Sequence, residues 1–206
     1  MRSRAARFIA SLTLLGLSAA MGARAEEGKP LPRDKPEAQE APAPKSPAEI
    51  RAELYERLAA SKDEDETQGL IRLLFATYSQ SGSDTGDLLL ERARKAMLAK
   101  DFDAAGRILD AAIAILPDWA EGWNARATLR WLDDDYDGSM ADIAQTLKRE
   151  PRHIGALSGM AMILAQRDKE EDALRVYEHI LAIAPHWKSA EEAADKLRAK
   201  VKGQEL

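Results

Sequence analysis

Three prolines in the C-terminal half of the chain stand at equal intervals. Pro117, Pro151 and Pro185 are each 34 residues from the next. A fixed period of this length, with proline at the seam between units, is typical of stacked helical hairpins. The spacing therefore predicts an all-α solenoid, in which each hairpin buries one face against its neighbours and another face forms an extended concave surface suited to binding.

Small side chains recur at fixed distances before each proline. In each unit one small residue stands 24 residues before the proline and another stands 12 residues before it. A large apolar residue lies four positions before the first small residue. Small residues at such places let two helices approach closely, where a bulky side chain would force them apart. The large positions are Leu89, Trp123 and Leu157, and the small ones are Ala93, Ala127 and Ala161, then Ala105, Ser139 and Ala173.

This combined pattern resembles the tetratricopeptide repeat family. The resemblance implies antiparallel helix pairs in a right-handed superhelix, with repeats at 86–119, 120–153 and 154–187 and a capping helix at 188–202. The sequence departs from the family pattern in two respects. The turn within each pair carries Lys100, Asp134 or Asp168 where glycine is usual, and Ala96 and Arg130 replace the inner aromatic residue.

A further helical hairpin is predicted at 47–85, ahead of the first repeat. Ser46, Pro47 and Glu49 form a strong helix start with a capping box. Apolar residues then recur on one face of each helix, and the segment keeps the 34-residue register. We interpret it as a degenerate repeat or an N-terminal cap of the solenoid. Its apolar positions are Ile50, Leu54 and Leu58, then Ile71, Leu74, Phe75 and Tyr78.

The N-terminal 25 residues have the pattern of a secretory signal peptide. Three arginines precede a 13-residue apolar run, and Ala23-Arg24-Ala25 is a small-residue cleavage site. The run is short for a bilayer span, which needs about 20 residues, so a retained membrane anchor is only the alternative. Residues 26–46 are charged and proline-rich, which predicts a disordered linker. We expect cleavage after Ala25 and a periplasmic protein with no membrane span after processing.

Charge and composition exclude several classes of function. Removing the four arginines of residues 1–25 from 30 basic residues leaves 26 against 35 acidic ones, a net charge of −9. This balance disfavours nucleic acids and anionic membranes as partners. The chain has no cysteine, which excludes a cysteine-linked lipid anchor and a disulfide scaffold. The three histidines, His153, His179 and His186, form no catalytic or metal-ligand spacing, so we expect neither an enzyme nor a cofactor.

The resemblance places the binding groove on the first helix of each repeat. One stripe of each of these helices, at i, i+4 and i+7, would line it, although a Met and aromatic stripe can also be core. Methionine beside an exposed Trp suits an apolar peptide, and only Asn124 agrees with the family's carboxylate-gripping positions. The predicted groove residues are Leu90, Arg94, Met97, Asn124, Thr128, Trp131, Ser158 and Met162, with Ala165 continuing the last stripe.

Two acidic clusters and three seam residues need separate interpretation. The run 133–138 matches the opening of a calcium loop, but Ala144 stands where that loop needs a bidentate acid. We therefore expect an interhelical turn followed by a second helix over 136–149. The cluster 63–66 is interpreted as the acidic start of a helix. Trp119, His153 and Trp187, each two residues after a seam proline, are expected to pack between consecutive repeats.

The sequence thus favours a protein- or peptide-binding adaptor or scaffold of the bacterial cell envelope. Its partner would be another protein of that compartment, held in the concave groove. The alternative is a structural assembly protein that associates with itself through the solenoid faces and binds no peptide.

Overall fold

A computed structural model describes residues 45–204, which form nine α-helices. The predicted signal peptide and residues 26–44 of the predicted linker lie outside the described residues. Within residues 45–204 no helix is long and apolar enough to cross a membrane. The helices are α1 Pro47–Ala59, α2 Glu64–Tyr78, α3 Asp84–Leu98, α4 Phe102–Ile115, α5 Ala120–Leu132, α6 Tyr136–Arg149, α7 Ile154–Gln166, α8 Glu170–Ile183 and α9 Lys188–Gln204.

The predicted helix pairs are present in the predicted order. Helices α3 and α4 form the first repeat, α5 and α6 the second, and α7 and α8 the third, with α9 packed on α8. Helix α6 spans the residues expected from the repeat register. The small positions of the pattern are all buried, and in the second repeat the Ser139 hydroxyl donates to the Ala127 carbonyl at 2.8 Å. The all-α solenoid predicted from the sequence is confirmed.

The same turn joins the two helices of each repeat, and in all three turns a residue other than glycine occupies the left-handed position. Lys100, Asp134 and Asp168 have φ of 59°, 59° and 55°, in the left-handed region that favours glycine. The amide that follows each of them donates back to the carbonyl five residues earlier, at 2.9, 2.8 and 3.0 Å. This is the Schellman geometry of a helix end. Each repeat therefore forms this turn although the positive φ of a non-glycine residue is energetically unfavourable.

The N-terminal hairpin packs in a different place from the one predicted. Helices α1 and α2 pack on each other, but their apolar residues share a cluster with the third repeat and α9 rather than with the first repeat. The hairpin therefore does not pack on the first repeat as a preceding repeat or a cap of that end would. The main members of the cluster are Leu54, Tyr55, Leu58, Leu70, Ile71, Leu74 and Tyr78 of the hairpin with Ile154, Leu157, Ile180, Ile183 and Ala190.

The outer face of α3 explains why the hairpin does not stack there. In α5, Ala125 and Leu129 pack against the preceding repeat, as Ala156 and Ile163 do in α7. The positions of α3 that would meet a preceding repeat hold exposed Leu88 and the exposed ion pair of Glu91 and Lys95. Stacking a hairpin on this face would desolvate both charges.

The hairpin docks instead along the seams between repeats. The Trp119 indole N–H donates to the Tyr78 carbonyl at 2.9 Å, and the His153 ring stacks on the Tyr78 ring with centroids 3.9 Å apart. Trp187 packs against the same cluster. The Tyr55 hydroxyl donates to the Arg152 carbonyl at 2.7 Å. The seam residues predicted to pack between repeats thus also receive the hairpin. Phe75, predicted on its apolar stripe, is 39% exposed beside α7.

Candidate functional site

Five of the predicted groove residues line one cavity between α5 and α7. Its volume is about 230 Å³, and the second helix α6 supplies its floor through Ser139 and Ile143. We call this cavity the α5–α7 pocket. The five residues are Asn124, Thr128 and Trp131 on α5 and Ser158 and Met162 on α7. The first helices of the second and third repeats therefore bring these predicted side chains to one place.

Two glycines of α7 contribute to the pocket wall, and they serve different purposes. A methyl group at Gly155 would lie 3.2 Å from Phe75 Cε1, so this glycine permits the close approach of α2. A methyl group at Gly159 would lie 3.5 Å from Ile143 Cδ1, an ordinary contact distance. Gly159 is thus not required by close packing. Its missing side chain leaves space in the pocket.

The pocket wall is uncharged, and its hydroxyl donors are already used. Thr128 donates to the Asn124 carbonyl at 3.0 Å and Ser158 to the Ile154 carbonyl at 2.9 Å, while Ser139 bonds to Ala127 as described above. The remaining lining is apolar apart from the Asn124 amide and the Trp131 indole N–H. A buried charge would find no partner here and would remain costly. The pocket is therefore suited to an uncharged, apolar group.

Trp131 forms one wall of the pocket without being fully interior. Its ring is half-buried and packs against the cluster formed by Ala127, Ile143, Ala156 and Ile163. The indole Nε1 is buried and has no hydrogen-bond partner among residues 45–204. The ring therefore contributes apolar surface rather than a hydrogen bond to the fold.

The remaining predicted groove residues belong to other environments. Leu90 is only 2% exposed and lies in the core with Ala93 and Leu109, so its assignment to the groove surface is wrong. Leu90 holds in the first repeat the position that Asn124 holds in the second, and an apolar side chain there packs into the space between helices. Met97 packs against the same core cluster, and Ala165 lines a separate cavity between α7 and α9.

Comparison with known proteins supports this architecture. No family model matches the chain. A TPR repeat-containing protein of Rhizobium etli is 39% identical over 158 residues, which are 77% of this chain and 78% of that protein. The chain belongs to the tetratricopeptide repeat family. The TPR domain of Arabidopsis OM64 superimposes with a TM-score of 0.51 over 55% of this chain and 94% of that domain, and its 18% identity shows the fold alone.

Membership sets the general class of activity. Tetratricopeptide repeat proteins generally mediate protein–protein interactions and serve as binding or scaffold proteins rather than catalysts. In this chain the first helices of the second and third repeats hold the α5–α7 pocket, and a buried polar network lies beside it.

That network centres on Glu121, in the first turn of α5. Glu121 is 6% exposed, and its carboxylate accepts from Arg94 at 2.7 Å, from the Asn124 amide at 3.0 Å and from His153 Nε2 at 3.2 Å. His153 Nδ1 accepts from the Ala156 amide at 3.1 Å, so the ring proton is placed on Nε2. Glu121 therefore holds two predicted groove residues and links them to the seam that receives the hairpin.

The role of Glu121 was missed in the sequence. The sequence does contain one indication of this role. Glu121 is an acidic residue at a first-helix position where the third repeat, 34 residues later, has the small residue Gly155. An acid at such a place is buried only if cations or donors surround it. Two of its three donors, Arg94 and His153, come from 27 residues before and 32 residues after it, so sequence spacing alone does not reveal them.

A second buried network accounts for Arg130 at the place of the usual inner aromatic residue. Asp142 accepts from Arg126 through both carboxylate oxygens, at 2.8 and 2.9 Å, and lies 3.0 Å from Arg130. The Arg126 guanidinium also reaches Asp110 on α4, which connects the first two repeats. Hydrogen bonding to Asp142 raises the pKa of Arg126 above its ordinary value. The second repeat thus joins its helices by charge where an aromatic residue is usual.

The acidic clusters serve helix ends and ion pairs. Asp135 accepts from the Gly138 amide as a helix cap, and Asp137 binds Arg167 at 2.7 Å. Asp134 accepts from the Tyr136 hydroxyl, and Asp63 caps α2. Within residues 45–204 no three acidic, histidine or cysteine side chains are grouped as a metal site. His179 and His186 are exposed.

Proposed function

We propose that this protein is a non-enzymatic adaptor or scaffold of the bacterial cell envelope that captures an apolar side chain of a protein partner in the α5–α7 pocket. The observation that carries the proposal is the convergence of five first-helix residues on one uncharged cavity of the concave face. In helical solenoids such a face is the extended surface available to a partner.

The size of the pocket favours a side chain over a free small molecule. Its volume of about 230 Å³ is below the roughly 300–1,000 Å³ typical of small-molecule sites. Met162 at its edge is 43% exposed, and the flexible thioether of methionine adapts to differently shaped apolar groups. Trp131 adds a rigid aromatic wall, which is a frequent anchor of protein interfaces.

The envelope assignment rests on the sequence of residues 1–25. The arginine-rich start, the apolar run and the small residues at 23–25 together have the pattern of a cleaved export signal. Expression in a Gram-negative host followed by osmotic-shock fractionation tests this part. We expect the released protein to begin at Glu26 by intact mass. A full-length chain retained in the cytoplasm would contradict it.

Filling the pocket tests the groove directly. Gly159→Leu places a side chain in the cavity, whereas Gly159→Ala adds one methyl group at an ordinary contact distance from Ile143. A photoreactive residue in place of Met162 should crosslink a discrete envelope protein in cells, and Gly159→Leu should remove that product while circular dichroism shows an intact fold. The same probe at the exposed residue 182 on α8 is the positional control.

Trp131 supplies a second, matched pair of variants. Trp131→Phe keeps an aromatic wall and loses no hydrogen bond, because the indole N–H has no partner among residues 45–204. We expect it to preserve capture and stability, whereas Trp131→Ala should lower capture by at least about tenfold, as for an interface anchor. If Trp131→Phe and Trp131→Ala capture the partner equally well, the proposal that the partner binds in the α5–α7 pocket is refuted.

Self-association through the solenoid faces is the alternative scaffold function. The charged outer face of the first repeat does not favour end-to-end stacking, because Glu91 and Lys95 would be desolvated. Light scattering over a concentration series separates the two functions, since a constant monomer mass excludes assembly through these faces.

A further inference from the structure

The α5–α7 pocket continues toward the C-terminal helix as an apolar trough made of two cavities. A second cavity of about 370 Å³ lies between α7 and α9, and Met162 lines both cavities. Ala165, Tyr177 and Leu197 give this α7–α9 pocket an apolar floor. A segment bound in the first pocket therefore finds a second apolar site directly beside it.

The second pocket is as apolar as the first, but two charged residues stand at its border. Lys196 and Lys200 stand one helical turn apart on α9 and both border the cavity. Neither forms an ion pair with any residue of the range 45–204. Asp195 is paired with Arg198, and Glu192, one turn before Lys196, is exposed and outside ion-pair distance of it.

We propose that the partner segment carries acidic side chains next to its apolar anchors, and that Lys196 and Lys200 recognise them. This inference rests on the proposed function of the groove and names the chemistry of its partner. The methylene stems of these exposed lysines border the apolar cavity, so their unpaired ammonium groups lie in solvent at its rim, where they complement carboxylates on a segment that occupies it. In a chain with 35 acidic against 30 basic residues, these two adjacent unpaired lysines give this end of the trough a local positive charge, which would attract an acidic segment.

Matched synthetic peptides test the proposal. Each fluorescein-labelled, C-terminally amidated peptide carries two leucines three positions apart, flanked on both sides by glutamates, by glutamines or by lysines. We expect anisotropy titrations at low salt to give a roughly fivefold lower Kd for the glutamate peptide than for the glutamine peptide, as for two exposed ion pairs, and the difference should shrink as salt is added.

Charge-removing variants assign the preference to the two lysines. The double variant Lys196→Gln/Lys200→Gln should bind the glutamate and glutamine peptides equally. Lys148→Gln/Lys169→Gln removes the same charge from exposed positions away from the trough and should keep the preference. A preference that survives in the first variant, or is lost equally in both, overturns the inference.

The glutamine peptide separates this inference from the proposed function. If the glutamine peptide binds and Gly159→Leu abolishes this binding, the α5–α7 pocket captures apolar side chains independently of the flanking charges. Equal binding of the glutamate and glutamine peptides by the natural protein would then overturn the charge recognition alone. If no peptide binds, or if Gly159→Leu leaves binding unchanged, both proposals fail.

Discussion

Substitution of His153 by alanine examines the docking of the N-terminal hairpin, because this residue joins three parts of the molecule. The side chain is fully buried. Its Nδ1 caps α7 by accepting from the Ala156 amide, its Nε2 contacts the Glu121 carboxylate at 3.2 Å, and its ring stacks on Tyr78 of α2. His153→Ala removes all three contacts at once.

The expected loss follows from these contacts. A side-chain helix cap contributes about 1 kcal/mol, an aromatic stack about 1 kcal/mol, and a hydrogen bond to a charged group about 1.5 kcal/mol or more. We expect His153→Ala to lower the free energy of unfolding by about 3 kcal/mol, since contacts of one residue do not add fully. For a domain of this size the midpoint of thermal unfolding should fall by roughly 6–12 °C.

Urea unfolding followed by far-UV circular dichroism measures the change. His186→Ala, at an exposed residue of the next seam, is the matched control and should be neutral. His153→Asn restores a capping side chain and should recover about 1 kcal/mol. A double-mutant cycle with Tyr78→Leu should show a coupling of about 1 kcal/mol between the two rings. Zero coupling, or a loss no larger than that of His186→Ala, would refute hairpin docking at this seam.

Three further predictions concern the turn, the buried ion network and alkaline pH. Lys100→Gly should raise the free energy of unfolding by about 0.5–1 kcal/mol in urea titrations, because glycine adopts the φ of 59° without a clash, and a loss would contradict this. Asp142→Asn should cost about 3 kcal/mol by the same assay, because it leaves partly buried Arg126 without its main counter-charge, and a change below about 1 kcal/mol would argue against the network. Burial raises the pKa of both Tyr55 and Tyr78, so the stability that they contribute is complete below about pH 10 and is lost as the pH rises above it. Urea midpoints of the natural protein should fall more between about pH 9 and pH 11 than those of Tyr55→Phe/Tyr78→Phe, and parallel pH profiles would refute this assignment.

Much of the candidate site could be predicted from the sequence because its residues share one helical face. Spacing at i, i+4 and i+7 places Asn124, Thr128 and Trp131 on the same stripe of α5, and the 34-residue period brings Ser158 and Met162 alongside on α7. The same spacing failed for Leu90, because position on a face does not say whether the neighbouring helix covers it. In the first repeat the core covers this side chain.

The combined pattern of prolines, small residues and large residues by itself determined the family and the order of the helix pairs, because these depend on spacing along one chain. Only the tertiary structure decided where the hairpin of α1 and α2 packs and how Glu121 is surrounded. Both depend on which distant surfaces complement each other: the seam residues Trp119 and His153 receive Tyr78, whereas the charged outer face of α3 does not favour stacking. Burial of the apolar face of the hairpin is required in either arrangement, and its position depends on which surface offers complementary contacts: the seams supply them and the charged face of α3 does not.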